Sequence, residues 1–360
     1  MSPLLRSVRM RLSLLALLFL SSPLVAATIE VRDAAALRDV LPRLTEGDIL
    51  RIAPGEYPGG SSVSNIPDLT VEALDPEKPP HFEGGTQAWH FSRCPGLKLR
   101  HLRCSGQSAN GINLDDGGQR DNPVAGVLLE HLSVSDIGPK GNFDGIKCSG
   151  LKDLRISHCE ISGWGGQAID FVGCSDAVIS DCKITGKEGF SQHTGPQFKG
   201  GCRNITIERC TLINAGERPI QAGGSTGADY FRPAGANYEA KDIMIRDNRI
   251  EGGTCACAFT GVRGAEFTGN TIVRPVKWIF RILQETTTKG FLVCGDVKIS
   301  GNTITFRREQ VGSEINIGAG ADPGSFVFFG NKWLAEDRPQ DSKPTLPSPE
   351  KDGVYGAKPE

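Results

Sequence analysis

One segment of this chain recurs in register. LKDLRISHCEISG (151–163), CSDAVISDCKITG (174–186) and CRNITIERCTLIN (202–214) superpose without gaps. AKDIMIRDNRIEG (240–252), RGAEFTGNTI (263–272), DVKISGNTITF (296–306) and SFVFFGNKW (325–333) repeat the same core. One position after each strand reads Cys159, Cys182, Cys210, Asn248, Asn270, Asn302 and Asn331. A unit this short cannot bury its apolar positions alone, so successive units must stack. Strand alternation sends Ile146, Cys148, Ile169 and Phe171 inward and Lys147 and Asp170 outward. The expected fold is all-β: a single-domain parallel β-helix over residues 28–333, with about ten coils for a repeat of this length. The asparagine column should form a ladder of side-chain amides along the stack.

The ends read differently. Arg6, Arg9 and Arg11 precede an apolar run from Leu12 to Leu20 and then SSPLVAA, which describes an export signal over residues 1–27. The run is too short to span a bilayer. An exported protein is therefore expected (periplasmic, cell-surface or extracellular), with no membrane association after cleavage. DAAALRDVL (33–41) has an N-cap-like Asp33 and should form a short helix capping the first coil. Residues 334–360 are polar and proline-rich and read as a C-terminal tail with no core to join. A capped solenoid need not pair, so a monomer is expected.

Removing three arginines and no acid with the signal takes the formal charge from −2 to −5. A mildly acidic protein is not drawn to nucleic acid by its overall field, so a polyanion would be held only by a local basic patch. The eleven cysteines fall into the repeat columns, with Cys174 and Cys202 at a second turn. Buried free thiols are the expectation, with disulfides or a zinc site as alternatives.

The outward position of the first strand reads, coil by coil, Asn113, Lys147, Asp170, Gln197, Gln221, Ala258, Arg281 and Asn316. Two residues on come Asp115, Ser149, Val172, Lys199 and Gly223. A solvated face is polar in any case. Here, however, Lys147, Lys199, Arg218 and Arg281 bring four cations to neighbouring coils of an acidic protein. The flanking insertions carry Trp164, Phe190, His193, Tyr230, Phe231, Arg232 and Tyr238, residue types that wall a sugar-binding groove. Lys147, Gln197, Gln221, Arg281, Arg232 and Asp170 are the candidate substrate-binding residues.

GDILRIAPGEY (47–57), the coil grammar, and QFKGGCRNITIERC followed by AGERPIQAGGSTG resemble the right-handed parallel β-helix polysaccharide lyases, in the style of the alginate lyases and chondroitinase B. The resemblance implies β-elimination on a uronic-acid polysaccharide: a cation or Ca²⁺ neutralises the C6 carboxylate, a base removes the C5 proton, and an acid protonates the leaving oxygen. It places the lysine base at Lys199. Arg218, Tyr230 or His193 would be the acid, and Tyr and His are the better donors. Arg218 and Arg281 would crowd Lys199 and help neutralise it. The family's calcium ligands are not matched by QHTGPQ (192–197). Asp115, Asp116, Asp144 and Asp170 are the substitute cluster, with Asp115 and Asp144 as candidate metal ligands. A hydrolase using Asp144 and Asp170, a C5-epimerase and a non-catalytic carbohydrate-binding protein are the alternatives.

Overall fold

The computed structural model describes residues 26–357. The expected signal, residues 1–27, lies outside this range except for Ala26 and Ala27. Among the described residues no helix is long and apolar enough to cross a membrane.

Each coil visits three sheets in turn. One coil runs Gln167–Val172, Ser175–Ser180 and Lys183–Thr185, and Thr194–Lys199 begins the next. Stacking the coils gives parallel sheets of fifteen, ten and twelve strands. The ten strands of the middle sheet match the expected coil number. Register holds every inward residue over its counterpart. Ile156, Ile179, Ile207, Ile245, Phe267, Ile299 and Phe328 form one such row, and all are buried. Full burial of a side chain of this size stabilises by about 1.5–3 kcal/mol, and the row repeats on all three sheets.

The corner columns behave as their residue types require. Asn248 Nδ2 donates to Asn270 Oδ1 (3.0 Å), Asn270 Nδ2 to Asn302 Oδ1 (3.1 Å) and Asn302 Nδ2 to Asn331 Oδ1 (2.8 Å). Each amide also satisfies buried backbone groups; Asn270 Nδ2, for example, reaches Ile245 O. All eleven cysteines are free and buried. Burial pushes the Cys104 thiol up to about 12, so it is a packing group rather than a nucleophile.

At the N-terminal end Asp33 accepts from Ala35 N and Ala36 N and caps a helix over Ala34–Val40. The C-terminal end corrects the sequence reading. The segment expected as a tail adds strands at Glu350–Lys351 and Val354–Tyr355 to two of the sheets. Its reason is polar satisfaction: an amide ladder needs a last acceptor, and Glu350 Oε1 takes the Asn331 Nδ2 hydrogen at 2.7 Å while its Oε2 accepts from the Trp333 indole at 2.8 Å.

Candidate active site

The ten-stranded sheet carries a polar column in strict register: His90, Asn113, Lys147, Asp170, Gln197, Gln221, Ala258, Arg281, Asn316. Beside it run Ser92, Asp115, Ser149, Val172 and Lys199. Over coils 90 to 199 these two columns floor a cleft of about 750 Å³, whose walls include Asn142, Thr226, Tyr230 and Arg232.

At its centre two lysines share one carboxylate. Lys147 Nζ lies 2.6 Å from Asp170 Oδ2 and 2.9 Å from Asp144 Oδ2. Lys199 Nζ lies 3.1 Å from Asp170 Oδ1, an ion pair out of line for a hydrogen bond, and its aligned contact to Gln197 Oε1 is long at 3.4 Å. Lys147 is thus clamped and Lys199 is loosely held. Burial works against the Lys147 charge, but Asp170 and Asp144 outweigh it and raise the ammonium above its ordinary value. Burial likewise acts to raise Asp170, yet the Lys199 and Lys147 charges bring it below the usual carboxylate range. Asp144 has no second lysine; burial and the Asp170 charge push it up to about 6.

His90 was missing from the sequence-derived site, although WHFS (89–92) shows the same in–out alternation one coil upstream. Its Nε2 sits 2.7 Å from Asp115 Oδ2, and the same carboxylate accepts from Ser92 Oγ (2.7 Å), Asn113 Nδ2 (3.1 Å) and Gly117 N (2.8 Å). The Asp115 hydrogen bond raises His90 above 6.5 against the opposing effect of burial. For Asp115, burial acts upward, but the hydrogen bonds from His90, Ser92 and Gly117 win and hold it at about 2. Signs follow from linkage. The His90 contribution to stability is complete below 6.5 and is lost as pH rises through the folded value; that of Asp115 is lost as pH falls from 3.8 towards 2. An imidazole NMR titration should therefore place the His90 midpoint above 6.5, and Asp115→Asn should lower it. A midpoint indifferent to that substitution would refute the pairing.

The wall over the Lys199 edge is an arch of two insertions. The Arg232 guanidinium binds Asp116 (2.5 and 3.1 Å), Arg120 donates to Asp229 O (3.0 Å), and Asp121 accepts from Ala234 N (2.9 Å). The arch lies so close on the coil corners that a Cβ at Gly173 would fall 2.1 Å from Arg232 Cβ, at a φ of +62°. Fully buried Glu239 fixes its base, accepting from Gly200 N, Thr226 N and the hydroxyls of Thr226 and Thr286.

The structure brings together Lys147, Asp170, Lys199, Asp115 and Tyr230. It separates others. His193 is exposed at the opposite end of the Thr194–Lys199 strand, roughly 20 Å along the chain from Lys199 at ~3.3 Å per residue. Arg218 and Arg281 are not among the residues lining the cleft; they bind Gln221 Oε1 and Asn316 Oδ1. Gln197 and Gln221 are buried beneath the surface they were expected to present. Arg232 lines the cleft, but its charge is committed to Asp116. Trp164 is core, its indole bonded to Thr194 O, and Phe231 packs on Phe291. Asp144 and Asp170 are both fully buried and clamp Lys147 between them, which denies a hydrolase its two facing carboxylates.

The donors do not fit Ca²⁺ either. Asp115 is saturated by four hydrogen bonds, an ammonium stands between Asp144 and Asp170, and no cluster of three or more His, Cys, Asp or Glu side chains suited to a metal occurs among the described residues.

The description "Right handed beta helix region" matches residues 89–272, just over half of the chain. The chain belongs to the right-handed β-helix family. This β-helix protein superposes on an alginate lyase from Paenibacillus sp. str. FPU-7 with 20% identity and a TM-score of 0.53, covering 81% of this chain and 97% of that one. It also superposes on a mannuronan C-5 epimerase A-module from Azotobacter vinelandii (13%, TM-score 0.54, 92% and 89% covered). An endo-xylogalacturonan hydrolase from Aspergillus tubingensis is similar to the same degree (12%, TM-score 0.54, 89% and 96% covered). At these identities the likeness is one of fold. No curated protein matches the chain in sequence.

Proposed function

We propose that this β-helix protein is an exported polysaccharide lyase that cleaves a uronic-acid polysaccharide by β-elimination. The observation that carries the reading is the pair of lysines on one buried carboxylate, at the floor of a cleft in an acidic protein. Lys147, held cationic by Asp170 and Asp144, turns its third N–H to the substrate's C6 carboxylate, and that charge-assisted hydrogen bond acidifies the C5 hydrogen. Lys199, loosely held, first gives its own proton to solvent and then, as the neutral amine, takes the C5 proton. The C5–H electrons form the C4–C5 double bond as the C4–O bond breaks, and Tyr230, 65% exposed on the cleft wall, gives its phenolic proton to the leaving oxygen. The alginate lyase among the similar folds supports the substrate class.

The test is ultraviolet absorbance of the conjugated, unsaturated uronate while the mature protein acts on alginate, polygalacturonate, chondroitin sulfate and dermatan sulfate. One of these should give a rising signal, and chelator should leave it intact because Lys147 stands in for the divalent cation. Reducing ends without unsaturation would point to hydrolysis, and polymer binding without either product to a binding protein. A signal that chelator abolishes would overturn the role of Lys147.

A further inference from the structure

Beyond the cleft the polar column continues to a second group of cations. Arg281 stands five coils from Lys147 in the same column, about 24 Å at ~4.8 Å per coil. Its guanidinium carbon lies 5.0 Å from the Trp278 ring centroid, and Lys277 Nζ lies 4.3 Å from the same ring. Cation–π contact thus fixes two positive charges on one indole. Arg218 stands about two coils away at the same strand end, since Thr254 N donates to Glu217 O (2.8 Å) and Trp278 N to Thr254 O (3.0 Å). Arg218 Nη1 donates to Gln221 Oε1 at 2.8 Å, while its Nε is buried without a partner. Arg281 uses only Nε, towards Asn316 Oδ1 at 3.0 Å, which leaves the end of its fork unused.

What sets the group apart is that two cations are fixed on one indole with no paired acid beside them. Among the described residues none of Arg218, Arg281 and Lys277 has a carboxylate within ion-pair distance, whereas most arginines on this surface do. Glu217, next to Arg218 in sequence, is exposed and pairs with neither arginine. Three neighbouring cations held in place without counter-charge are a site for an anion, and guanidinium forks match carboxylates.

We propose that Arg218, Arg281 and Lys277, positioned by Trp278, form a distal subsite for a uronate carboxylate of the same polysaccharide. This rests on the polyuronate reading of the cleft. A chain lying along the coil axis meets Lys147 and, about five coil spacings further on, this second anchor. Short oligosaccharides cannot reach both.

The experiment measures binding rather than turnover, by calorimetric titration of the Lys199→Ala protein with polymeric alginate and with its trimer at two salt concentrations. The polymer should bind more tightly than the trimer. Arg281→Gln, which keeps a donor for Asn316 and removes the charge, should erase about tenfold of that advantage and flatten its salt dependence, and Arg218→Gln should act likewise. Thermal melting of each variant excludes a folding defect. An undiminished polymer advantage in both variants, or no polymer binding at all, overturns the subsite. Polymer binding that Arg281→Gln weakens, in a wild type that yields no unsaturated product, would keep the subsite and remove the lyase reading.

Discussion

Lys199→Ala is expected to lower formation of unsaturated product by about 10²–10⁴-fold, the usual contribution of a positioned proton-transfer group. The expectation comes from the unequal way the two cleft lysines are held. Lys147 makes two short contacts to carboxylates, at 2.6 and 2.9 Å, and its proton is locked in. Lys199 has one ion pair out of hydrogen-bond alignment and one long contact to an amide. Of the two, Lys199 is the more weakly held, and it is the one proposed as the base. Lys199→Arg should fail as well, because a guanidinium does not deprotonate at accessible pH. Polymer affinity should survive in the Arg variant, which separates loss of chemistry from loss of binding. If Lys199→Arg retains most of its turnover, Lys199 is only a cation and the base lies elsewhere.

Asp170→Asn should destabilise the fold by about 3–5 kcal/mol, the range for breaking a buried ion pair on one side. The carboxylate is fully buried and holds both lysines. Its loss leaves Lys199 with the Gln197 amide alone and Lys147 with Asp144, which is protonated below about 6. The denaturant midpoint is the readout, taken as a shift rather than an extrapolated free energy because solenoids unfold by parts. Adding Lys199→Met should recover part of the loss, giving a measurable coupling in the double-mutant cycle. The pH dependence has a definite sign. Asp170 is depressed in the fold, so its stabilisation is present above 3.8 and disappears as pH falls through the folded value. The gap between wild type and Asp170→Asn should therefore close in acid. A variant as stable as wild type at neutral pH would mean that Asp170 does not hold the lysines.

Some of this was readable without coordinates, and the reason is the repeat. Once coils stack in register, a sequence column becomes a spatial column, so Asn113, Lys147, Asp170, Gln197 and Arg281 could be aligned by eye. The amide ladder from Asn248 to Asn331 follows from the same rule, while the capping of the helix at Asp33 follows from the residue type at its N-cap. The tail did not follow, because Glu350 joins the core by accepting hydrogen bonds from Asn331, Trp333 and Tyr355 rather than through apolar alternation. His90 lies one coil upstream of Asn113 in the same column, and WHFS (89–92) carries its alternation in the sequence.

Sequence by itself determined the scaffold: strand alternation and a fixed repeat leave stacking as the one way to bury the apolar positions. It also set which face is polar and which residues share a column on it. Only the tertiary structure decided which column members work together, since that depends on side-chain reach and on how loops return across the coils. Lys147 and Lys199 meet on Asp170 because one leans along the stack and the other across it. Arg232 is spent on Asp116, more than a hundred residues away in sequence, and His193 ends on the wrong side of its own strand. Register is a local property repeated many times. Partner choice among charges is a long-range one, fixed by where two insertions cross.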